Sequence, residues 1–206
     1  MAKKPSRDML TAGVVGSYLM ASAWLIVVMG TIVAIMGGIR SFEMGWVFGM
    51  LGVIAGLLLI GGTVCEGIGW IALGRLYPGT PALIGWLEAA LPVIILFIFS
   101  FALTTFRADP AMGHVVVVLL ATHLFLAFLW MVTHQTRART LPAALGYGLA
   151  LLSGVTLYIL ALAEARAEIL QVVLLFTYAT GAAIAHFGTA IVFGKSRALA
   201  DSVNTF

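Results

Sequence analysis

The chain is poor in charge. Only 9% of its 206 residues are Asp, Glu, Lys or Arg, against about 25% in a typical soluble domain. Hydrophobic residues make up 62% of the sequence and lie in long runs of the kind that span membranes. The few basic residues lie between these runs, without the mixture of basic and aromatic residues typical of nucleic-acid binding. The composition therefore excludes an ordinary soluble domain and argues against a nucleic-acid partner.

Cysteine is also scarce, with Cys65 as the single example. One cysteine permits no intramolecular disulfide and no cysteine-based zinc or iron–sulfur motif within one chain. Cysteine chemistry is therefore excluded as the basis of a site built by this chain alone.

Six apolar segments are long enough to cross a membrane. They run over roughly 9–38, 44–74, 81–106, 110–135, 141–163 and 167–194. At about 1.5 Å per residue, each can cross a hydrocarbon core of about 30 Å. Pro81 and Pro110 follow Thr80 and Asp109, which is the pattern of a capping residue and a first-turn proline at a helix start. The sequence therefore predicts an all-α, polytopic six-transmembrane-helix bundle that forms a single domain over residues 1–206.

The N-terminus resembles a secretory signal peptide, because basic residues precede an apolar run and residues 21–23 form a small-residue cleavage pattern. The apolar run nevertheless continues to Gly38, so cleavage would cut a spanning segment in its middle. We therefore expect an uncleaved first helix.

The basic residues predict the orientation of the bundle. If the N-terminus is cytoplasmic, that side holds Lys3, Lys4, Arg7, Arg75, Arg137, Arg139, Lys195 and Arg197, and the other side holds Arg40, Arg107 and Arg166. This bias follows the positive-inside rule, so both termini are expected in the cytoplasm. Together with the lack of a sorting signal, it favours a bacterial inner membrane.

Aromatic residues near the ends of the spans are typical of the belts that membrane proteins place at the lipid–water boundary. Trp46 falls near the outer boundary, whereas Trp70, Tyr77, Trp86 and Trp130 fall near the inner one. We expect these side chains at the two interfaces.

Three ionisable residues lie inside apolar spans at similar depth. Glu66 and His186 each precede a basic residue by nine positions, and Glu88 follows Pro81 by seven. On the helical rise, all three are about 10–14 Å from the cytoplasmic boundary. Ionisable groups in hydrocarbon are costly and usually persist where they are paired, hydrated or used. Glu66, Glu88 and His186 are therefore the candidate proton- or ion-binding residues. Alternatively, the two carboxylates bond to Ser, Thr or Tyr groups and fix the helix register.

The backbone near these acids is irregular. Pro92 cannot donate a hydrogen bond to the carbonyl of Glu88, so a kink is expected in the third span. Four glycines between positions 61 and 69 surround Glu66. Such residues allow close approach of a helix or a bound group, and broken helices beside buried charge recur in transporters.

The second span is rich in glycine along its whole length. Gly45 with Gly49, and Gly52 with Gly56, have the spacing that lets two helices approach closely in lipid. A helix of this kind is expected at the centre of a bundle. The alternatives are a flat cofactor or lipid against it, or a partner subunit recruited by exposed glycines.

A gapless alignment relates the second span to the sixth. Gly61, Glu66, Ile71 and Gly74 match Gly181, His186, Ile191 and Gly194 at equal spacing. One explanation is repeated helical hairpins with Glu66 and His186 in equivalent places. The other is chance, since glycine and isoleucine are common in such helices.

A transmembrane haem b needs two histidines that face each other from different helices at similar depth. His186 is the only histidine outside the fourth span, so the pair would be His123 with His186. Their expected depths differ by about 7 Å on the helical rise. Hydrogen-bonded core histidines are the other interpretation.

These features favour a proton- or ion-linked transport or energy-transducing subunit of a larger membrane complex. No catalytic residues are identified, so enzymatic activity stays an open question that the sequence does not favour. One alternative is a redox subunit that binds haem b or quinone between the fourth and sixth helices. Another is a non-catalytic scaffold or assembly subunit. The expected partners are the lipid bilayer and other membrane subunits or further copies of the chain.

Overall fold

A computed structural model describes residues 6–37, 42–105, 110–134, 140–164 and 167–202. This part of the chain forms six α-helices. They are α1 (Arg7–Gly37), α2 (Phe42–Leu76), α3 (Thr80–Thr105), α4 (Pro110–Thr133), α5 (Leu141–Leu162) and α6 (Glu168–Ser202). Each contains a segment long and apolar enough to cross a membrane. The prediction of an all-α chain with six membrane-capable helices is therefore confirmed.

The helix ends follow the sequence signals at most positions. Thr80 begins α3 and Pro110 begins α4, so each helix has a proline in its first turn. The last helix is longer than expected, because α6 continues past Lys195 and Arg197 to Ser202. Lys, Arg and Ala are good helix formers, so charge alone does not end the helix there. The ends expected at 38, 106 and 135 lie outside the described residues.

The six helices form a closed ring. Each helix packs against its neighbours in the chain, and α6 packs back against α1. Packing is closest between α1 and α2 and most open between α3 and α4. Arg197 near the end of α6 bonds to Thr11 near the start of α1, at 3.5 Å. We call this end of the ring, where α1 begins and α6 ends, the terminal end, and the opposite half the distal half.

Aromatic side chains fill the ring near the terminal end. Trp70 packs edge-to-face on Trp130 and on Phe193, with ring centroids 5.5 Å apart in both pairs. Tyr77 packs on Trp130 in the same manner at 5.7 Å. Trp70 and Trp130 are both buried. We call Trp70, Tyr77, Trp130 and Phe193 the aromatic layer.

The aromatic layer corrects the expected positions of two tryptophans. Trp70 and Trp130 do not line the lipid boundary, because their indole rings find aromatic partners inside the ring. Trp86 is 65% exposed and faces outward, as expected of a belt residue. The side chain of Trp46 lies outside the described residues.

Two helical hairpins, α1–α2 and α5–α6, pack through matching glycine contacts. A Cβ on Gly62 would lie 3.0 Å from the carbonyl oxygen of Gly16, and one on Gly181 would lie 3.0 Å from that of Gly146. A Cβ on Gly16 would collide with the backbone nitrogen of Glu66. Small residues allow this backbone-to-backbone approach, which larger side chains would prevent.

These contacts fix the correspondence between the two hairpins. The matching positions are Gly16 with Gly146, Gly62 with Gly181, and Gly69 with Gly188. This register is one residue away from the sequence alignment, so Glu66 corresponds to Ala185. The hairpins thus share a packing pattern, but Glu66 and His186 do not occupy equivalent places.

The first half of α2 does not lie at the centre of the ring. A Cβ added at Gly49, Gly52 or Gly56 would meet no other atom within 4 Å. Val53 and Leu57 on the same segment are 64% and 66% exposed. The helix belongs to the ring and is not central to it, and the close packing expected of its glycines occurs only in the second half of α2, from Gly62 onward.

Candidate functional site

The three candidate residues lie together inside the ring. Glu66 from α2, Glu88 from α3 and His186 from α6 each place one potential ligand atom within 4.8 Å of the others. His123 from α4 places its Nε2 atom 3.8 Å from Oε1 of Glu88. All four residues are at most 3% exposed. With Tyr147 from α5, five of the six helices contribute to one buried polar cluster.

Glu66 and His186 form the bonded side of the cluster. Nδ1 of His186 lies 2.9 Å from Oε2 and 3.1 Å from Oε1 of Glu66. An ionised carboxylate offers only acceptors, so His186 donates from Nδ1 when Glu66 carries its charge. Such a charge-assisted bond is shorter and stronger than one between neutral groups. The pair therefore ties α2 to α6 across the ring.

Tyr147 and Thr189 complete the bonding around Glu66. The Tyr147 hydroxyl lies 3.3 Å from Oε1 of Glu66 and 3.1 Å from Oγ1 of Thr189. Thr189 donates to the carbonyl of Ala185 at 2.9 Å. The phenol has one hydrogen, so at any moment it donates either to Glu66 or to Thr189. The Tyr147 hydroxyl can therefore donate to Glu66 when that carboxylate is charged and to Thr189 when it is not.

Sequence reasoning expected a Ser, Thr or Tyr partner for the carboxylates but did not identify Tyr147 or Thr189. Their positions along the helices could have identified them. Tyr147 follows the start of α5 by six residues, about 9 Å along the helix, which places it near the layer of Glu66. Thr189 follows His186 by three residues and so lies on the same helix face.

Glu88 and His123 form the unsatisfied side of the cluster. Within the described residues, neither carboxylate oxygen of Glu88 and neither ring nitrogen of His123 has a hydrogen-bond partner. Their closest approach of 3.8 Å is longer than a hydrogen bond. Buried polar atoms in proteins are nearly always bonded, so four such atoms in one place call for a functional explanation.

The shared layer expected for Glu66, Glu88 and His186 agrees with their proximity in the structure, whereas the different layer expected for His123 was wrong. Its depth was counted from Arg137, but α4 ends at Thr133. His123 precedes the end of α4 by ten residues, as Glu66 precedes the end of α2 at Leu76. His123 therefore lies in the layer of Glu66 and Glu88, and the expected offset of about 7 Å is absent.

The described basic side chains lie within two turns of a helix end. They are Arg7 in α1, Arg75 in the last turn of α2, and Lys195 and Arg197 in α6. Nine residues separate His186 from Lys195, which is about 13 Å along the helix. For the part of the chain that is described, the positive charge that balances Glu66 and Glu88 therefore comes from an imidazolium, a proton or a bound cation.

A cavity of about 270 Å³ extends from the cluster into the distal half. Glu88, His123 and His186 form its polar end, and apolar side chains line most of the remainder. Ile95 and Leu96 on its wall are 47% and 50% exposed, so the cavity borders the outer surface of the ring. On the terminal side of the cluster, Trp70 and Trp130 of the aromatic layer are buried against each other. We therefore expect access from the distal half.

The geometry of the two histidines also bears on the haem interpretation. Both imidazoles pack edge-to-face on the Tyr147 ring, at 6.3 Å for His123 and 5.9 Å for His186. Each has a carboxylate beside one ring nitrogen. Haem or quinone binding by this pair stays a prediction.

The fold and the cluster define a six-helix chain of the multi-pass membrane type with a buried carboxylate–histidine site. No protein-family model, curated protein or solved structure matches the chain. Its function is therefore inferred from the site.

Proposed function

We propose that this chain is a proton- or ion-linked membrane protein and that Glu66, Glu88 and His186 bind the exchanged proton or ion. One observation carries the proposal: Glu66, Glu88 and His186 lie within 4.8 Å of one another inside a membrane-type bundle, and His123 lies 3.8 Å from Glu88. Ionisable groups in such surroundings mark ion pathways and proton relays. The fourth member, His123, joins the site on the side of Glu88.

The hydrogen bonds support proton exchange within the cluster. A proton on the Glu66–His186 bond can reside on either group, and Tyr147 can turn its hydrogen toward Glu66 or Thr189 to match. The gap of 3.8 Å between Glu88 and His123 closes to hydrogen-bond length with a side-chain movement of about 1 Å. The cluster can therefore hold and pass a proton without a change in fold.

We place the protein in a bacterial inner membrane with both termini in the cytoplasm. The support is the excess of Lys and Arg in the segments at the terminal end. In this orientation the aromatic layer lies toward the cytoplasm. The cavity then lies on the side of the cluster away from the cytoplasm.

The chain is proposed to work as a transport or energy-transducing subunit of a larger complex. The open glycines of α2 support this role, since Gly52 and Gly56 have the spacing at which a second helix approaches closely in lipid. A further membrane subunit or a second copy of the chain fits this face.

Infrared difference spectroscopy tests proton binding in the isolated protein. Protein in lipid nanodiscs is compared at acidic and alkaline pH, and the carbonyl band of protonated glutamic acid is followed. The band is expected to lose one component in Glu66→Gln and another in Glu88→Gln. Glu168→Gln, which changes an exposed acid at the start of α6, is the matched control. If neither cluster variant alters the band, the cluster does not exchange protons.

A scaffold role makes a different prediction. Glu66→Gln and Glu88→Gln would then leave the activity of the native membrane complex intact, since glutamine preserves size and hydrogen bonding. Loss of activity in assembled complexes that contain either variant would exclude that role.

A quinone-binding redox subunit is a second candidate, and the cavity is the observation that favours it. Its apolar walls end at three proton-exchanging side chains, Glu88, His123 and His186, which suits a ring with an apolar tail. Solvent extraction of purified protein followed by mass spectrometry tests it. Quinone retained by wild type and lost in Leu91→Trp, which fills the cavity wall, would support this role.

A further inference from the structure

The cluster brings two carboxylates together in apolar surroundings. Ligand atoms of Glu66 and Glu88 lie within 4.8 Å of one another. Like charges at this distance repel strongly in a low-dielectric interior, and a buried charge needs a counter-charge. Among the described side chains, the ion pairs at these acids involve only His123 and His186. A divalent cation would balance both carboxylates at once.

The donor atoms select the class of cation. Carboxylate oxygen and imidazole nitrogen together suit Zn²⁺, Mn²⁺ and Fe²⁺, whereas Mg²⁺ and Ca²⁺ take oxygen ligands. Glu66, Glu88, His123 and His186 supply two oxygens and two nitrogens. These donor types are those of a transition-metal site without sulfur. Three of them form the compact group, and His123 adjoins it beside Glu88.

We propose that Glu66, Glu88 and His186 bind a divalent transition-metal ion inside the ring, with His123 as the fourth ligand. The inference rests on the proposed function, because the metal takes the same groups that exchange protons. Ligand atoms bound to one ion at about 2.1 Å lie at most about 4.2 Å apart. Atoms already within 4.8 Å reach an ion by small side-chain rotations.

His123 is evidence independent of the three-residue group. It is 3% exposed, both of its ring nitrogens are unbonded within the described structure, and Nε2 faces Glu88 at 3.8 Å. This separation is already within the limit for two ligands of one ion. His123 can therefore bind a metal without breaking a hydrogen bond.

Tyr147 is a positioning residue for the site. Its hydroxyl contacts Glu66 and Thr189, and its ring packs on both imidazoles. Outer groups of this kind orient the ligands, and their loss typically weakens metal affinity 10–100-fold. Binding of the ion through Nδ1 of His186 requires that atom to lose its hydrogen: a neutral imidazole then carries it on Nε2, whereas an imidazolium or a protonated carboxyl releases a proton to solvent.

Metal retention by untagged protein tests the proposal. Protein in nanodiscs is stripped with a chelator, equilibrated with Zn²⁺ or Co²⁺, desalted, and assayed by elemental mass spectrometry. Wild type is expected to retain one ion per chain. Affinity is expected to fall by at least about 10-fold in Glu88→Gln, His186→Asn and His123→Asn. Glu168→Gln and His114→Asn change residues at helix starts outside the cluster and are expected to behave as wild type.

Three results would overturn the metal site. They are no retention by wild type, equal retention by the cluster variants and the controls, and displacement of Zn²⁺ by excess Mg²⁺ or Ca²⁺. The last result would assign the cluster to a hard cation instead.

Spectroscopy of wild type keeps the test decisive where a variant does not fold. X-ray absorption of the Zn²⁺ form is expected to show nitrogen and oxygen ligands with imidazole scattering. A sulfur ligand, or a shell of oxygen alone, would overturn the assignment. In Tyr147→Phe we expect the same ligand shell with about 10-fold weaker affinity, as a positioning role requires.

The infrared titration of metal-free protein separates this inference from the proposed function. Protein that retains no metal but shows the Glu66 and Glu88 carbonyl bands would refute the metal site alone. Protein that binds metal without those bands would refute proton exchange and leave the metal site standing.

Discussion

Nδ1 of His186 bonds both carboxylate oxygens of Glu66, 120 residues away in the chain. The helices of the ring pack mainly against their neighbours, and this bond directly links two helices that both flank α1 and have little other contact. It therefore fixes how α2 and α6 stand relative to each other, in addition to any chemistry that it performs.

Removal of one partner of this bond is expected to destabilise the bundle. His186→Ala removes the imidazole partner of the buried Glu66 carboxylate and leaves it only the Tyr147 hydroxyl, so the free energy of unfolding should fall by about 3–5 kcal/mol. Combined with Glu66→Gln, the loss should be smaller than the sum of the two single losses by about 0.5–3 kcal/mol. Unfolding in mixed micelles, followed by circular dichroism, measures all three variants. Additive losses would show that the two side chains do not interact.

Glycine contacts should be sensitive to a single methyl group. Gly16→Ala places a Cβ against the backbone of Glu66, and Gly146→Ala does the same against Ala185 in the matching hairpin. Each is expected to cost about 1–3 kcal/mol of stability. Gly52→Ala is the control, since its Cβ meets no atom within 4 Å. Thermal unfolding in detergent measures the three variants, and equal midpoints for all of them would contradict the shared packing.

The two tryptophans Trp70 and Trp86 should respond differently to truncation. Trp70→Ala removes a fully buried ring from the aromatic layer and is expected to cost about 3–5 kcal/mol. Trp86 is 65% exposed, so Trp86→Ala should cost less than about 1 kcal/mol. Chemical unfolding of both variants under one condition provides the comparison. Similar losses of stability in the two variants would indicate that Trp70 lies at the lipid boundary and not inside the ring.

Metal retention should decrease as the pH is lowered. Protons compete with the ion for the carboxylates of Glu66 and Glu88 and for the imidazoles of His123 and His186, so acid favours the metal-free form. Tyr147 faces the same cluster but is a phenol that remains protonated throughout. Titration of the Co²⁺ form by its visible absorption measures the release. Retention that is constant from neutral to acidic pH would contradict binding by these groups.

Much of the architecture could be predicted from hydropathy, because a spanning helix needs a long apolar run and little else. Depth along the helices also placed Glu66, Glu88 and His186 in one layer. It failed for His123, since Arg137 was used to mark the helix end and α4 ends at Thr133. The rise per residue gives a side chain's position along the helix axis but not its direction around the axis. The bond between Glu66 and His186 could therefore not be predicted.

Rotation about the helix axis also explains the other differences. Trp70 lies near a span end, where a tryptophan commonly faces the interface, and its sequence position does not reveal that it points inward. Glu66 and His186 matched in the sequence alignment, but the backbone contacts of Gly62 and Gly181 set a register one residue away. A one-residue shift turns a side chain by about 100° around a helix.

The closed side of the cluster has a consequence for any ion that would cross the ring. Trp70 and Trp130 lie on the terminal side of Glu66, and the cavity approaches the site from the distal half. Passage by this route requires the two indoles to separate, and the rate of crossing would be set there, whereas affinity would be set at the carboxylates. Trp130→Phe would then change the rate of ion transfer across a vesicle membrane and leave the ion occupancy of the cluster unchanged.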